Sequence, residues 1–108
     1  FNGDGKSDIV WRNKATGQNT IWEINGFSVQ SNNLITQVAD QDWQIAGTAD
    51  FNGDGKSDIV WRNKATGQNT IWEINGFSVQ SNNLITQVAD QDWQIAGTAD
   101  FNGGTERT

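Results

Sequence analysis

The sequence predicts an all-β protein made of two four-stranded β-propeller blades, with the ring closed by association of several chains. Residues 1–50 and 51–100 are identical at every position, so one structural unit occurs twice. Within each repeat, the apolar residues form short runs separated by turns rich in Gly and Asn, a pattern that favours strands over helices. Four strands in a repeat of this length are typical of a propeller blade.

The predicted domain boundaries follow the repeat. Residues 1–50 form the first blade, which starts at its second strand, and residues 51–100 form the second blade. Residues 101–108 are a truncated repeat start and a C-terminal tail. Perfect identity between the copies indicates either a very recent duplication or a designed symmetric repeat, and we favour design.

Each repeat contains four candidate strands. In the first repeat they cover residues 8–12, 20–24, 33–38 and 43–49. Asn25-Gly26 is a strong hairpin turn signal. Ile9 and Trp11 point to one face of the first run and Val10 to the other, so we expect this strand to be buried on both faces between stacked blades. The small residues at 46–49 suit the crowded innermost strand near a propeller axis.

Composition limits the possible functions. The net charge is −6, and the chain has no cysteine and no histidine. The negative charge disfavours nucleic acid and membrane surfaces as partners. The missing residue types exclude disulfides, Cys/His zinc sites and histidine-based catalysis. Because Ser7, Ser28 and Ser31 have no base in a recognisable motif, and Asp40 and Asp42 are typical turn residues, we expect no enzymatic activity.

The sequence does not assign a cellular compartment. No run approaches the roughly 20 apolar residues that a membrane helix needs. The first residues lack the basic start and apolar stretch of a signal peptide.

The segment from residue 50 to residue 58 is a candidate calcium loop. Side-chain oxygens recur at alternate positions, Gly55 permits a sharp turn, and Lys56 would contribute its backbone carbonyl; the predicted ligands are Asp50, Asn52, Asp54, Lys56 and Asp58. Calcium takes six to eight oxygen ligands in a flexible shell. An EF-hand would need Glu where Trp61 stands, so Asp58 has to close the site. The alternative is an acidic turn whose side chains only cap backbone amides.

Parts of the same motif occur at both ends of the sequence. The first loop offers Asn2, Asp4, Lys6 and Asp8 but lacks the leading Asp. Asp100 and Asn102 restart the motif, but Gly104 stands where an Asp is required. We therefore expect Asp100 of one chain to complete a site with Asp4 and Asp8 of another, and either Asn2 or Asn102 can fill the third position.

Residues 48–61 resemble the FG-GAP/VCBS-type calcium propeller repeat, a family that includes the propeller of integrin α-subunits and a seven-bladed fungal lectin. The resemblance extends over nearly all of each repeat. It implies one calcium ion per blade, held by the five predicted ligands of the loop, and it suggests an extracellular parent. Two features depart from the family: only two repeats are present, and they begin within the motif.

These observations predict a structural, self-assembling calcium-binding scaffold. The partner is a second copy of the chain, because two blades cannot close a ring. Its last strand, residues 93–100, is expected to complete the first blade of the next copy. Two blades per chain allow even totals only, and we favour a tetramer with eight blades over a trimer with six.

The alternative function is that of a lectin. The fungal relative suggests it, and Trp22, Phe27 and Trp43 offer aromatic faces to a sugar. Packing between blades is the favoured interpretation of these side chains, because large aromatic residues dominate protein cores.

Overall fold

The structure, a computed structural model, describes residue 1 and residues 3–99. Within this range it has seven strands: β1 Ile9–Arg12, β2 Asn19–Asn25, β3 Ser28–Ile35, β4 Trp43–Ala49, β5 Asp58–Asn63, β6 Asn69–Asn75 and β7 Ser78–Ile85. No helix in the described part of the chain is long and apolar enough to cross a membrane. The predicted all-β class is confirmed.

The strands form two antiparallel sheets. One has three strands in the order β1-β2-β3, and the other has four in the order β4-β5-β6-β7. β5, β6 and β7 repeat the pairing of β1, β2 and β3 at equivalent positions. The four-stranded sheet has the strand number and order of one propeller blade, and the three-stranded sheet matches its outer three strands.

The third strand of each repeat begins earlier than the predicted range of 33–38. Asn25-Gly26 forms the expected hairpin turn, with Gly26 at φ +64°, a conformation that glycine adopts without a Cβ clash. This tight turn leads directly into β3 at Ser28. Beyond Ile35 the chain leaves the sheet, and the Val38 N–H donates to the carbonyl of Gly17 at 2.9 Å.

The structure departs further from the prediction at the last predicted strand. Residues 93–99 form no strand, although the identical sequence in the first repeat forms β4, and residue 100 lies outside the described residues. β4 pairs along its length with β5, whereas no described strand pairs with residues 93–99. Strand formation at this sequence therefore depends on an antiparallel partner rather than on intrinsic propensity.

The core lies between the two sheets. It contains one buried cluster with contributions from both repeats: Phe1, Ile21, Ile35, Ile59, Trp61, Trp72 and Ile74. On β5, Ile59 is 0% and Trp61 1% exposed, which confirms the predicted burial of this strand. For β1 the same prediction is wrong, because the equivalent Ile9 and Trp11 are 43% and 49% exposed. The first sheet covers β5, but no second sheet packs on the same face of β1 among the described residues.

Candidate metal centre

The candidate site is the loop that joins β4 to β5. β4 ends at Ala49 and β5 begins at Asp58, so both ends of the loop are fixed by one strand pair. Gly53 and Gly55 have φ angles of +76° and +82°. Residues with a Cβ rarely adopt these angles, so the two glycines allow the loop to wind tightly and direct alternate side chains inward.

Three acidic side chains of this loop converge. Asp50, Asp54 and Asp58 each place one carboxylate oxygen within 4.8 Å of the other two. Three of the five predicted ligands of this loop are thus brought together. Carboxylate oxygens gathered at this spacing are the donors that a hard cation such as calcium prefers.

Asp50 also organises the loop backbone. Its Oδ1 accepts hydrogen bonds from the N–H groups of Gly53 at 2.8 Å and Asp54 at 3.1 Å, and its Oδ2 accepts from Gly55 at 2.7 Å. These are the capping bonds of the acidic-turn alternative. An ionised carboxylate has about four lone-pair positions, so capping leaves acceptor capacity for an ion.

Asp58 links the loop to the neighbouring strand. Its side chain is buried, and its Oδ1 accepts from the Ile74 N–H at 2.9 Å while its Oδ2 accepts from the Phe51 N–H at 3.2 Å. Burial raises the pKa of Asp58 above its ordinary value; the two hydrogen bonds oppose the rise, and the nearby charges of Asp54 and Asp50 add to it. The site therefore carries negative charge that is poorly compensated by solvent.

Asn52 and Lys56 lie in the same loop, and both hydrogen-bond to Asp54 of the carboxylate cluster. Asn52 Oδ1 accepts from the Asp54 N–H at 3.3 Å, and the Lys56 N–H donates to Asp54 Oδ1 at 2.9 Å. The Lys56 side chain lies beside Gly3 of the first loop. Both residues thus help to position Asp54.

The first loop repeats the described part of this geometry. The Lys6 N–H donates to Asp4 Oδ1 at 2.9 Å, as the Lys56 N–H does to Asp54. Asp8 Oδ1 accepts from the Ile24 N–H at 3.1 Å, and its Oδ2 binds the Phe1 amino group at 3.0 Å. The other predicted ligands of the shared sites, Asn2, Asp100 and Asn102, lie outside the described residues.

Comparison with known families bears on this loop directly. A family model of the FG-GAP-like repeat matches residues 1–61, more than half of the chain. The chain belongs to the FG-GAP-like repeat family. No curated protein and no solved structure matches significantly.

The FG-GAP-like loop also contains a packing residue that the ligand pattern does not reveal. Phe1, at its second position, is buried in the core, and its carbonyl accepts a hydrogen bond from the Gly76 N–H at 3.1 Å in the turn between β6 and β7. The loop of the first repeat therefore contacts the second repeat. The signal was present in the sequence, because Phe is the one large apolar residue in an otherwise polar loop.

The donor set of the FG-GAP-like loop fits calcium better than magnesium. Three carboxylates and neighbouring amide and carbonyl oxygens can supply several ligands in irregular geometry, as calcium accepts. Magnesium demands a near-ideal octahedron and usually keeps several waters. A calcium ion held by Asp50, Asp54 and Asp58 would supply positive charge where the three carboxylates meet.

Proposed function

We propose that the chain is a structural module, a calcium-binding β-propeller scaffold that assembles with copies of itself and has no catalytic role. The observation that carries the calcium part is the convergence of Asp50, Asp54 and Asp58 within 4.8 Å. Carboxylates at this distance repel one another unless a cation or protons compensate them. Calcium binding would remove this repulsion and stiffen the loop between β4 and β5.

Exposed apolar faces support the self-assembly part. The first repeat exposes an apolar face, the first-blade face, made of Ile9, Trp11, Phe27 and Val29. The second repeat exposes another, the second-blade face, made of Phe51, Ile85, Val88 and Trp93. Apolar patches of this kind on a small domain are typical of association surfaces. Burial of both faces in every copy requires a closed ring.

The size of the ring follows from the angle between blades. Relative to the seven-bladed lectin of the resembling family, an eight-bladed ring changes that angle by about 6° and a six-bladed ring by about 9°. A tetramer of two-bladed chains therefore distorts the packing between blades less than a trimer does.

Native mass spectrometry tests the proposal. In calcium at micromolar chain concentration we expect a closed tetramer, and after chelation we expect a shift toward smaller species. A trimer would contradict only the angle argument. A monomer in calcium would contradict self-assembly, and tetramers unaffected by a chelator would contradict the role of calcium.

A second candidate function, carbohydrate binding, is favoured by a cleft between the repeats. A cavity of about 260 Å³ is lined mainly by aromatic and apolar side chains with two polar groups: Val38, Trp43, Trp61, Thr70, Trp72, Asn82 and Leu84. Aromatic faces beside a few polar groups are typical of ligand pockets. Of the three candidate aromatic residues from the sequence, Trp43 lines this cleft and Phe27 is fully exposed. Trp22 packs against Trp11 with tilted rings whose centroids are 5.0 Å apart.

A glycan array tests this candidate. Binding that is lost in Trp43→Ala but retained in Asp92→Ala would support a sugar site in the cleft, because neither Asp92 nor its equivalent Asp42 lines it. Absence of glycan binding in the assembled wild type would exclude the candidate.

A further inference from the structure

One edge of β1 is open, whereas the same edge of the equivalent strand β5 is paired. β5 lies between β4 and β6, whereas β1, among the described residues, pairs only with β2. β1 has the same sequence as the corresponding part of β5. An open strand edge presents unpaired N–H and C=O groups that can accept a further strand.

Residues 93–99 are the matching unpaired segment. They repeat the sequence of β4 but form no ladder with any described strand. Thr98 Oγ1 donates to the Thr48 carbonyl at 3.1 Å, and Gly47 also lies close to the Thr98 side chain. Thr48 and Thr98 are equivalent positions of successive repeats. The segment therefore runs beside β4, where the innermost strand of a following blade would lie.

We propose that residues 93–99 of one copy add as an antiparallel strand to the open edge of β1 in a second copy. The proposal rests on the self-association described above and specifies the joint by which it occurs. The pairing of β4 with β5 sets the register between copies: Trp93 opposite Asn13, Gln94 opposite Arg12, Ile95 opposite Trp11, Gly97 opposite Val10, Thr98 opposite Ile9 and Ala99 opposite Asp8.

The apolar faces identify the second copy as the occupant. Each residue of the two exposed faces has an equivalent in the other repeat. The equivalents of the first-blade face are Ile59, Trp61, Phe77 and Val79. The equivalents of the second-blade face are Phe1, Ile35, Val38 and Trp43. Four of these eight side chains belong to the buried apolar cluster, and the other four are partly buried and pack against it. The two exposed faces are thus the two halves of an interface that the chain already forms internally. They are complementary to each other rather than to themselves, so the contact is head-to-tail.

A charged contact supports the same direction of assembly. The Arg12 guanidinium of the first repeat lies 5.0 Å from the ring centroid of Trp61 in the second. Its Nη2 also donates to the Val38 carbonyl at 2.9 Å, and Arg62 makes the same bond to the Val88 carbonyl. The equivalent stacking partner for Arg62 is Trp11 of a second copy, on the face that strand addition would cover.

Single-cysteine variants test the strand addition, since the chain has no cysteine of its own. Thr98→Cys and Ile9→Cys are purified separately, mixed in calcium and oxidised. Directly opposed residues on neighbouring strands have Cα separations within disulfide range. We expect a disulfide-linked dimer in the mixture and none in either variant alone. The Gln94→Cys and Arg12→Cys pair tests the same register independently if one of the first variants does not fold.

Two control pairs of cysteines show whether disulfide formation reports the predicted register. Thr48→Cys with Ile59→Cys in one chain should give an internal disulfide, because these residues are paired opposites in the structure. Thr98→Cys mixed with Val10→Cys should link poorly, because Val10 lies one position away from the predicted partner and points to the other face.

The possible results distinguish the head-to-tail contact, the strand addition and self-assembly itself. A disulfide within a single variant would overturn the head-to-tail contact. Wild-type rings in native mass spectrometry without disulfides in either mixture would overturn the strand addition and leave self-assembly intact. A wild-type monomer would overturn both.

Discussion

Phe1 and Phe51 occupy the same position of two identical repeats, but Phe1 is 5% exposed and Phe51 is 39% exposed. The Phe1 carbonyl also accepts the Gly76 N–H at 3.1 Å, a bond from the first loop to the second repeat. Phe1 packs against the second repeat, whereas no further repeat follows Phe51 in the described part of the chain. The loop that carries the candidate metal ligands is therefore also part of the contact between the repeats.

The two phenylalanines should respond differently to truncation. Phe1→Ala removes a buried ring and should lower the free energy of unfolding by about 3–5 kcal/mol. Phe51→Ala should destabilise an isolated chain much less, but it should weaken association, because Phe51 would occupy the Phe1 position against the next copy. Chemical denaturation below the association threshold and sedimentation above it measure the two effects. Equal effects of both substitutions on association would contradict this assignment.

Calcium should raise the thermal stability of the chain. A site at 100 times its Kd stabilises the folded state by about 2.7 kcal/mol. We expect a higher melting midpoint in calcium than in EDTA, and a smaller increase in magnesium at the same concentration, because magnesium retains its water. Calorimetry measures the three midpoints. If calcium left the midpoint unchanged, the loop would be only a capped turn.

Substitution of the ligands should distinguish the sites. Asp54→Ala removes one of three converging carboxylates and should reduce calcium binding. Asp4→Ala and Asp100→Ala should weaken both calcium binding and assembly, because their predicted site spans two chains. Asp92→Ala, which removes an equal charge outside any loop of this type, is the control. Isothermal titration and native mass spectrometry report both properties, and equal assembly in all four variants would rule out a shared site.

The calcium-free chain should lose stability as the pH rises just above the ordinary carboxylate range. Burial raises the pKa of Asp58 above 3.8, so the folded chain keeps this proton at pH values where the unfolded chain has released it. Between the two pKa values the folded state binds more protons, and stability therefore falls with rising pH. Below 3.8 both states are protonated and this contribution is constant.

Asp58→Asn isolates this effect, because asparagine does not titrate. Urea denaturation of both proteins from acid to neutral pH, without calcium, should show the wild type losing stability relative to the variant through this window. A constant difference across the range would mean that Asp58 has its ordinary pKa in the folded chain.

The sequence alone determined the local chemistry of this protein. Alternating short apolar runs and the Asn25-Gly26 turn predicted strands and a hairpin, and the spacing of Asp50, Asp54 and Asp58 predicted a cluster that the structure brings together. These features depend on residues close in the chain, so the order of residue types is enough to specify them. The start of β3 was placed too late, because a tight turn resumes pairing at once.

Only the tertiary structure decided which copy of each residue is buried. Trp11 and Trp61 have the same neighbours in sequence, yet one is half exposed and the other is enclosed. Residues 93–99 and β4 are likewise identical, and only β4 is a strand. The reason is physical: burial and strand pairing are contacts with another sheet, and a repeated sequence has identical propensities but not identical neighbours.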